Sequence, residues 1–512
     1  MCGIWTIIGN SYQNDFFNIF HRGPDISVYK KILLENNQNL QIGFHRLSII
    51  DTTSDSHQPF IISKNNSTFI LICNGEIYNY KELRERYNLD KTKESDCVVL
   101  LELFLKFYTN LENFYKLFKR EIRGEFAFVL YEIRDEKIYQ KIIGRDMIGV
   151  RPLYSSIDFN AICSEIKGIK NYPEKIIEFP PGLIWNNGIG YNFKWIYDVI
   201  SKDLSEKNFL ENIRNSVIDS IKIRLHSDRP IAFLLSGGVD SSIVCALATR
   251  ILNKQIHTFC IGFKDEGTDF EYARMVAEKI NSIHTEIYIT HEEAIDVIPK
   301  VIECIESWDT TTIRASVGQY LACKYISEKT DFKVILVGEG PDEICSSYLF
   351  NWKCPSSVEL HETAKEYVQN IHCYDIKRVD RCIAKHGLEA RVPLLDPLFI
   401  EKYWEIPSEF RHPKEKGIEK WWFRKAFESM DLLPEKVLWR KKEAFSDGLS
   451  SKKKSWHQIL QEKYNGKETI YYNGIFDSLF PERRNIIPQY WQPKWTGNSE
   501  SYIDPSARIL DI

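Results

Sequence analysis

Two domains of different fold class are predicted by the apolar pattern along the 512 residues. The first part has short alternating runs bounded by turn residues, which predict β-strands. In the second part, short continuous apolar runs alternate with helical periodicity, which predicts an α/β domain whose parallel sheet is covered on both faces. The pattern changes in the polar stretch 198–207, so we place the domains at residues 2–200 and 201–512.

The first part contains six strand candidates and three helical segments. The predicted strands are residues 4–8, 41–50, 69–73, 125–133, 137–144 and 191–195. Helical periodicity is found at residues 80–87, 95–108 and 111–118. The strands dominate, so this domain is predicted to be built on sheets with a few covering helices.

The second part repeats one pattern three times. Apolar runs at residues 231–235, 257–261 and 333–337 predict strands, and residues 242–252, 271–280 and 316–329 show helical periodicity. Strands that alternate with helices are typical of a parallel sheet. Residues 488–512 carry Trp491 and Trp495 between prolines and are predicted to form an irregular tail.

Composition excludes several classes of protein. Apolar residues make up 43% and charged residues 27% of the chain, and the net charge is -4, so a nucleic-acid partner is not expected. The start lacks the basic region and apolar run of a signal peptide, and no apolar stretch reaches membrane-spanning length. The twelve cysteines are scattered without a C-x-x-C pair, which favours reduced thiols in a cytosolic protein.

Cys2 follows the initiator methionine directly. If Met1 is removed, one residue carries a thiol and a free α-amine, and an α-amine is partly unprotonated at neutral pH. A terminal amine can thus act as the base for a neighbouring nucleophile. Most residues at position two have no such role. The inference that Cys2 is a nucleophile therefore depends on three motifs that follow it, HRGPD (21–25), HRLSIID (45–51) and NGEIYN (74–79).

The segment SGGVDSS (236–242) lies between a predicted strand and a predicted helix. A strand, a glycine-rich turn and a helix N-terminus form an anion site from backbone N–H groups and the helix dipole. Gly237 and Gly238 let a phosphate approach the backbone closely. Asp240 suits a Mg²⁺ ion on the pyrophosphate, and the missing lysine excludes a Walker A loop. The alternative is a tight turn with a serine or aspartate cap.

A second turn, VGEGPDE (337–343), ends another predicted strand of the same sheet. Ligands of open α/β sheets collect at the carboxyl ends of the strands. Glu339, Asp342 and Glu343 would therefore meet the first loop, where a Mg²⁺ ion would offset their mutual repulsion. The alternative is a polar end of a loop without a ligand.

Together these motifs resemble the glutamine-hydrolysing asparagine synthetases over nearly the whole chain. The first half resembles a class II glutamine amidotransferase through Cys2-Gly3, HRGPD, HRLSII, NGEIYN, ESDC (94–97), GEFAF (124–128) and GRDMIGVRPLY (144–154). The second half resembles the synthetase through SGGVDSS, TTIRAS (311–316), GEGPDE (338–343), HGLEARVPLLD (386–396), WRKKEAFSDG (439–448) and DPSAR (504–508). Many motifs in the same order make a chance match implausible.

The resemblance implies an α+β N-terminal-nucleophile αββα sandwich, followed by an α/β ATP-pyrophosphatase domain of the adenine nucleotide alpha-hydrolase type. It implies that glutamine is hydrolysed to glutamate and that ammonia passes through an internal tunnel to β-aspartyl-AMP. ATP would become AMP and pyrophosphate, with Mg²⁺ as cofactor and L-asparagine as product. The implied partners are the small molecules L-glutamine, L-aspartate and ATP, with no membrane or nucleic acid. A cytosolic location is implied, and a homodimer is compatible with the resemblance.

The resemblance also implies roles in the glutamine site. Cys2 would be the nucleophile, and the Asn74 side chain with the Gly75 N–H would be the oxyanion donors. Arg46 would bind the glutamine carboxylate, and Asp96 its ammonium. Leu47, Ser48, Ile49, Ile50 and Glu76 would line the pocket. The alternatives are a surface ion pair for Arg46 and a helix cap for Asp96.

In the synthetase half, the implied roles divide between nucleotide, phosphate and aspartate. Leu235, Ile261, Val337 and Gly338 would contact the nucleotide. Ser236, Gly237, Gly238, Ser241 and Ser242 would hold pyrophosphate, and Asp240 and Asp342 would bind the metal. Glu339 would assist adenylation of aspartate, and Arg314 and Lys442 would neutralise phosphate charge. Lys442 could instead be a solvated side chain.

Three departures from the family pattern are visible. The stretch between Gly9 and His21 is short, so a surface helix is expected to be trimmed. Val337 and Pro341 replace residues that are usually serine, and Pro341 removes an N–H group. Cys345-Ser346-Ser347 replaces a stretch that usually contains glycine.

Two other functions compete with asparagine synthesis. An amidotransferase could act on a different carboxylate, but such relatives tend to lose Cys2 or to diverge near RVPLLD, and both are intact here. A non-catalytic glutamine sensor would lack a catalytic residue, whereas Cys2, Asp240 and Glu339 are all present.

Overall fold

A computed structural model describes residues 1–9, 13–90, 92, 94–200, 205–264, 267, 269–441, 449, 454–486 and 491–495. Several predicted features lie outside these residues. They are the boundary at residues 201–204, Lys442 with most of its motif, the DPSAR motif, and most of the carboxy-terminal tail.

Two six-stranded antiparallel sheets form the first domain. One sheet has the order β10-β8-β9-β1-β3-β2 and the other the order β12-β11-β7-β6-β5-β4. The strands are β1 Gly3–Ile8, β2 Ile26–Leu33, β3 Asn39–Arg46, β4 Phe60–Lys64, β5 Ser67–Ile77, β6 Gly124–Arg134, β7 Lys137–Arg145, β8 Tyr154–Ser156, β9 Ala161–Cys163, β10 Ile176–Glu178, β11 Leu183–Asn186 and β12 Ile189–Asn192.

The two sheets stack face to face over a shared apolar core. Side chains alternate along each strand, so Ile4 of β1 and Ile70 and Ile72 of β5 all enter the space between the sheets. Cys2 and Asn74 continue these two series. The alternation therefore brings Cys2 and the NGEIYN motif to the same end of the sandwich.

Helices cover the two outer faces unequally. α1 Gln13–Phe16 is a single turn against the β1 sheet, and it is followed by the 3₁₀ segment Phe17–Arg22. The other face carries α2 Tyr80–Tyr87, α3 Val98–Lys106 and α4 Leu111–Arg120, where Phe104 of α3 packs on Phe69 of β5 with ring centroids 5.9 Å apart. The αββα arrangement is confirmed, with one helical layer reduced to short turns.

A five-stranded parallel sheet forms the second domain, as predicted. Its order is β15-β14-β13-β16-β17, with β13 Ile231–Leu234, β14 His257–Phe263, β15 Ile283–Ile289, β16 Val334–Leu336 and β17 Glu389–Arg391. The α-helices of the domain are α5 Glu206–Arg224, α6 Val239–Leu252, α7 Asp269–Ile280, α8 His291–Asp296, α9 Ile298–Ile305, α10 Thr310–Lys329, α11 Pro341–Ile344, α12 Ser357–Asn370, α13 Asp375–Ala384, α14 Pro397–Trp404, α15 Ser408–Arg411, α16 Pro413–Lys416, α17 Trp421–Glu428, α18 Glu435–Leu438, α19 Trp456–Tyr464 and α20 Glu468–Leu479.

The edge strand β17 brings the second domain against the amino terminus of the chain. The Met1 amine lies 3.7 Å from Glu389, and Arg151 donates to the carbonyl of Ala390 at 3.0 Å. Arg391 lies 3.6 Å from Glu76 of the NGEIYN motif. Among the helices described here, none has the length and apolar character needed to cross a membrane.

Candidate functional site

Cys2 and Asn74 are in direct contact. The backbone N–H of Cys2 donates to the Oδ1 of Asn74 at 3.0 Å. The Nδ2 of Asn74 is buried and has no hydrogen-bond partner among the residues that the structure describes. A buried amide donor without an acceptor is costly in a folded protein, so this group is suited to bind an oxyanion.

Gly75 is required by a close approach between two strands. A Cβ atom at this position would lie 2.2 Å from the carbonyl oxygen of Glu125 in β6. Only glycine allows the strands to pair here while NGEIYN continues past Cys2.

The predicted pocket loop begins where β3 ends. The prediction extended the strand to residue 50, but β3 ends at Arg46 and the chain turns so that the carbonyl of Leu47 lies 3.7 Å from the Sγ of Cys2. Asp25 of HRGPD holds this turn, because its carboxylate accepts the N–H of Ser48 at 2.8 Å. Arg46 is buried and donates to the carbonyl oxygens of Asp51 and Thr53. Ile49 accepts the N–H of Asp228 from the second domain at 3.1 Å.

Asp96 and Glu76 are buried acids on the other side of NGEIYN. Asp96 accepts the N–H of Ile77 at 2.7 Å and lies just before α3. Burial raises the pKa of Asp96 and raises that of Glu76 well above its usual range. A ligand ammonium placed between such groups would favour their charged forms.

Burial also determines whether the thiol of Cys2 is protonated. It raises the pKa of Cys2 to about 11, although the nearby amine and the Leu47 carbonyl oppose the shift. The thiol is therefore protonated at neutral pH and needs a base. Met1 is buried beside it, and burial lowers the pKa of its amine.

Arg22 of HRGPD contacts the backbone of Cys2, which the sequence did not predict. It is fully buried, and its Nε donates to the carbonyl oxygen of Cys2 at 3.0 Å. The motif itself was recognised, but no spacing rule ties an arginine at position 22 to the backbone of residue 2.

A second site opens at the carboxyl ends of β13, β14 and β16, where an α/β sheet usually binds its ligand. It is a cavity lined by residues of both predicted loops and by several that were not predicted. The predicted residues in its lining are Leu235, Ser236, Gly238, Asp240, Ser241, Ile261, Gly338, Glu339 and Asp342. The lining residues that were missed include Asp269, Gln319, Arg378, Lys420 and Arg440.

The two loops approach each other closely in this cavity. A Cβ atom on Gly338 would lie 2.6 Å from the backbone nitrogen of Ser241, so a larger residue would push the loops apart. Gly237 has a φ of 74° and turns the chain into α6. Pro341 is the first residue of α11, a position at which the missing N–H is tolerated.

Asp240 and Asp342 converge on the ammonium group of Lys420. Lys420 is buried, and its Nζ contacts Asp240 and lies 2.5 Å from the Oδ1 of Asp342. Two carboxylates that already share one cation present the oxygen ligands that Mg²⁺ prefers. The pair therefore fits the predicted metal site.

Glu339 projects toward a buried arginine. Arg378 donates to Glu339 at 2.9 Å, to Gln319 at 3.0 Å and to Asp375 at 2.9 Å. Burial raises the pKa of Glu339, and Arg378 opposes that shift. The Nε and Nη groups of one arginine thus organise the acidic wall of the cavity.

Five of the predicted residues that the structure describes do not line the cavity. Gly237, Ser242, Val337 and Glu343 belong to its two loops but are absent from the lining. The assignment of Arg314 to phosphate is corrected here. Arg314 is buried and pairs with Glu468 of α20 at 2.6 and 3.0 Å, so its charge is already matched. The cationic residues that the structure places in the lining are Arg378, Lys420, Arg424, Arg440 and Lys441.

Comparison with known proteins agrees with this geometry. The family described as asparagine synthase matches residues 212–358 and 353–503, and the glutamine amidotransferase domain matches residues 1–180. Asparagine synthetases [glutamine-hydrolyzing] from Bos taurus and Gallus gallus are each 35% identical over 100% of this chain and 98% of their own length. The enzyme from Rattus norvegicus is 36% identical with the same coverage. The chain therefore belongs to the family of glutamine-hydrolysing asparagine synthetases.

Proposed function

We propose that the chain forms L-asparagine from L-aspartate, using ammonia from L-glutamine and energy from ATP. The observation that carries the proposal is the pairing of two sites in one chain. Cys2 and Asn74 form one site, and Asp240, Glu339 and Asp342 form the other. β17 lies between them, against both Met1 and the strand that leads to Glu339.

Glutamine hydrolysis begins at Cys2. After removal of Met1, the free amine of Cys2 takes the thiol proton and the sulfur attacks the glutamine amide carbon. The orphan Nδ2 of Asn74 and the N–H of Gly75 stabilise the oxyanion. Ammonia leaves, and water then releases glutamate from the thioester. Arg46 and Asp96 bind the α-carboxylate and α-ammonium of the substrate.

Adenylation takes place in the second cavity. An oxygen of the aspartate β-carboxylate attacks the α-phosphorus of ATP, and pyrophosphate leaves. The backbone N–H groups of residues 236–242 and the amino end of α6 hold the phosphates. Asp240 and Asp342 would hold Mg²⁺, which supplies charge neutralisation on the departing pyrophosphate. Glu339 and Arg378 position the aspartate.

Amidation completes the reaction. Ammonia passes from the Cys2 site along β17 to the second cavity and attacks the β-carbonyl carbon of β-aspartyl-AMP. AMP leaves and asparagine forms. The Glu76–Arg391 ion pair joins the NGEIYN motif to the strand Glu389–Arg391. This contact holds the two sites in a fixed position relative to each other.

One assay tests the proposal. Purified protein is given aspartate and Mg-ATP with either glutamine or an ammonium salt, and AMP and asparagine are measured together. We expect equal amounts of both products with either nitrogen source. AMP without asparagine, or a preference for another carboxylate acceptor at matched concentration, would contradict the proposal.

A further inference from the structure

The carbonyl group of Cys2 is held by an arginine whose remaining nitrogens face the other domain. The Nε of Arg22 donates to the Cys2 carbonyl at 3.0 Å. Its Nη1 donates to Asp380 at 2.8 Å and its Nη2 to the second oxygen of the same carboxylate at 3.1 Å. This two-bond fork fixes the plane of the guanidinium group as well as its position.

Asp380 belongs to the second domain and is 2% exposed, while Arg22 is fully buried. The pair is therefore shielded from water and salt, unlike a surface ion pair. Glu165 of the first domain also accepts from Arg22, at 2.6 Å. Glu165 can hold Arg22 within its own domain, but among the described carboxylates only Asp380 binds both terminal nitrogens.

The helix that carries Asp380 presents two different faces. Successive residues turn by about 100°, so Arg378 and Asp380 lie on nearly opposite sides of α13. Lys377 and Arg381 flank Asp380 on its side and donate to Tyr154 at 2.9 Å and to the Ser164 carbonyl at 3.2 Å, both in the first domain. Arg378 faces Glu339 and the second cavity.

From this arrangement we propose that Asp380 is a positioning residue for glutamine hydrolysis, supplied by the synthetase domain and acting on Cys2 through Arg22. This rests on the proposed glutaminase role of Cys2. The carboxylate fixes Arg22, and Arg22 fixes the Cys2 carbonyl. The backbone of Cys2 is thereby held against Asn74, with the thiol beside the Leu47 carbonyl. The glutaminase site is thus completed by a side chain that lies more than 350 residues away in sequence.

The physical consequence concerns turnover rather than substrate binding. The residues assigned to bind the glutamine carboxylate and ammonium, Arg46 and Asp96, form no hydrogen bond to Asp380 in the described part of the chain. Loss of Asp380 leaves Arg46 and Asp96 in place, but Cys2 is no longer held in a fixed position. A displacement of about 1 Å at a reacting group costs on the order of 100-fold in rate.

The test compares Asp380→Asn with the wild-type enzyme. Glutamate release is measured without aspartate or ATP, and ammonia-dependent asparagine formation is measured separately. We expect the glutaminase kcat to fall by about 10- to 100-fold, with KM for glutamine unchanged and ammonia-dependent synthesis retained. If the wild type made no asparagine, the proposed function would be contradicted. The comparison of glutaminase rates would still test the role of Asp380, because it does not depend on asparagine formation.

Asp219→Asn is the matched control. Asp219 also pairs with an arginine of the first domain, Arg123, at 2.5 Å, and no hydrogen bond joins Arg123 to Cys2 among the described residues. We expect its glutaminase kcat to stay within about twofold of wild type, as for a partly exposed ion pair.

Asp380→Glu covers the case in which Asp380→Asn does not fold, because it keeps the buried charge and shifts only the carboxylate. We expect it to lower the glutaminase kcat alone, by less than Asp380→Asn does. A wild-type glutaminase kcat in Asp380→Asn would overturn the proposal. An equal loss of both activities in Asp380→Asn would also overturn the proposal in two cases. In the first, Asp380→Glu shows the same equal loss; in the second, Asp380→Glu has both activities at the wild-type level.

Discussion

Asn74 accepts the backbone N–H of Cys2 through its Oδ1 at 3.0 Å, and its own Nδ2 is buried without an acceptor in the described part of the chain. One amide thus performs two tasks, because it fixes the nucleophile with its oxygen and offers a donor with its nitrogen. Folded proteins rarely leave a buried donor unused. We therefore propose that this group lies where negative charge develops during glutamine hydrolysis.

Replacing Asn74 by alanine removes both the anchor and the oxyanion donor. We expect the glutaminase kcat to fall by about 10²- to 10³-fold, as for loss of one oxyanion donor, with little change in ammonia-dependent synthesis. Cys2→Ala serves as the reference, since it should abolish glutaminase activity and spare the ammonia reaction. Equal residual glutaminase activity in Asn74→Ala and the wild type would contradict the assigned role.

Retention of Met1 should silence glutamine hydrolysis. The Cys2 pKa of about 11 means that the thiol needs a base, and a peptide bond at its nitrogen removes that base. An uncleaved amino-terminal tag should therefore abolish glutamate release and leave the ammonia reaction intact. Intact-mass analysis gives the fraction that has lost Met1, which should track glutaminase activity. Full glutaminase activity in protein that retains Met1 would exclude the amine as base.

Substitutions in the two phosphate loops should stop AMP formation without stopping glutamine hydrolysis. Asp240→Asn and Glu339→Gln are each expected to stop AMP formation with both nitrogen sources, because the metal and the aspartate lose their ligands. Glutamate release should survive. Asp431→Asn, at an exposed aspartate of the same domain that pairs with Lys279, is the control and should leave both rates unchanged. Near-normal asparagine formation by Asp240→Asn would leave only the capping role for that residue.

We expect Ser346 to lower the stability of the synthetase domain. Its φ is 52°, in the region that favours glycine, and no described residue forms a hydrogen bond with its buried Oγ. Ser346→Gly should stabilise the synthetase domain by about 1 kcal/mol, since relief of strain outweighs the added chain entropy. The melting temperature should rise by about 1–3 °C. Ser347→Gly is the contrast, because Ser347 bonds to Asp342 and its loss should lower the melting temperature.

Elements with a regular apolar pattern could be predicted from the sequence, including the short strands β13 and β16, whereas the charged strand β17 could not. The helix at residues 80–87 and the strands β6 and β7 were predicted close to their observed bounds, because their apolar periodicity is regular. β17 was missed because three residues, two of them charged, carry no strand pattern. Its burial comes from contacts with the other domain, which no local pattern records.

The candidate site shows the same division. Cys2, Asn74, Asp240 and Glu339 lie in local motifs and could be named from the sequence. Arg314 could not be separated from Arg378 in that way, because both are arginines in helices of the same domain. Only the packing of Glu468 against Arg314, and of Glu339 against Arg378, decides which cation lines the cavity.

The buried charges between the domains bear on how this chain can be divided or recombined. Arg22, Arg151 and Glu76 each meet a charged group or carbonyl of the second domain. A fragment cut near residue 200 would expose these groups without their partners, and uncompensated buried charge is strongly destabilising. The amidotransferase half is therefore not an exchangeable module. A chimaera with another synthetase would need to import residues 375–391 along with it.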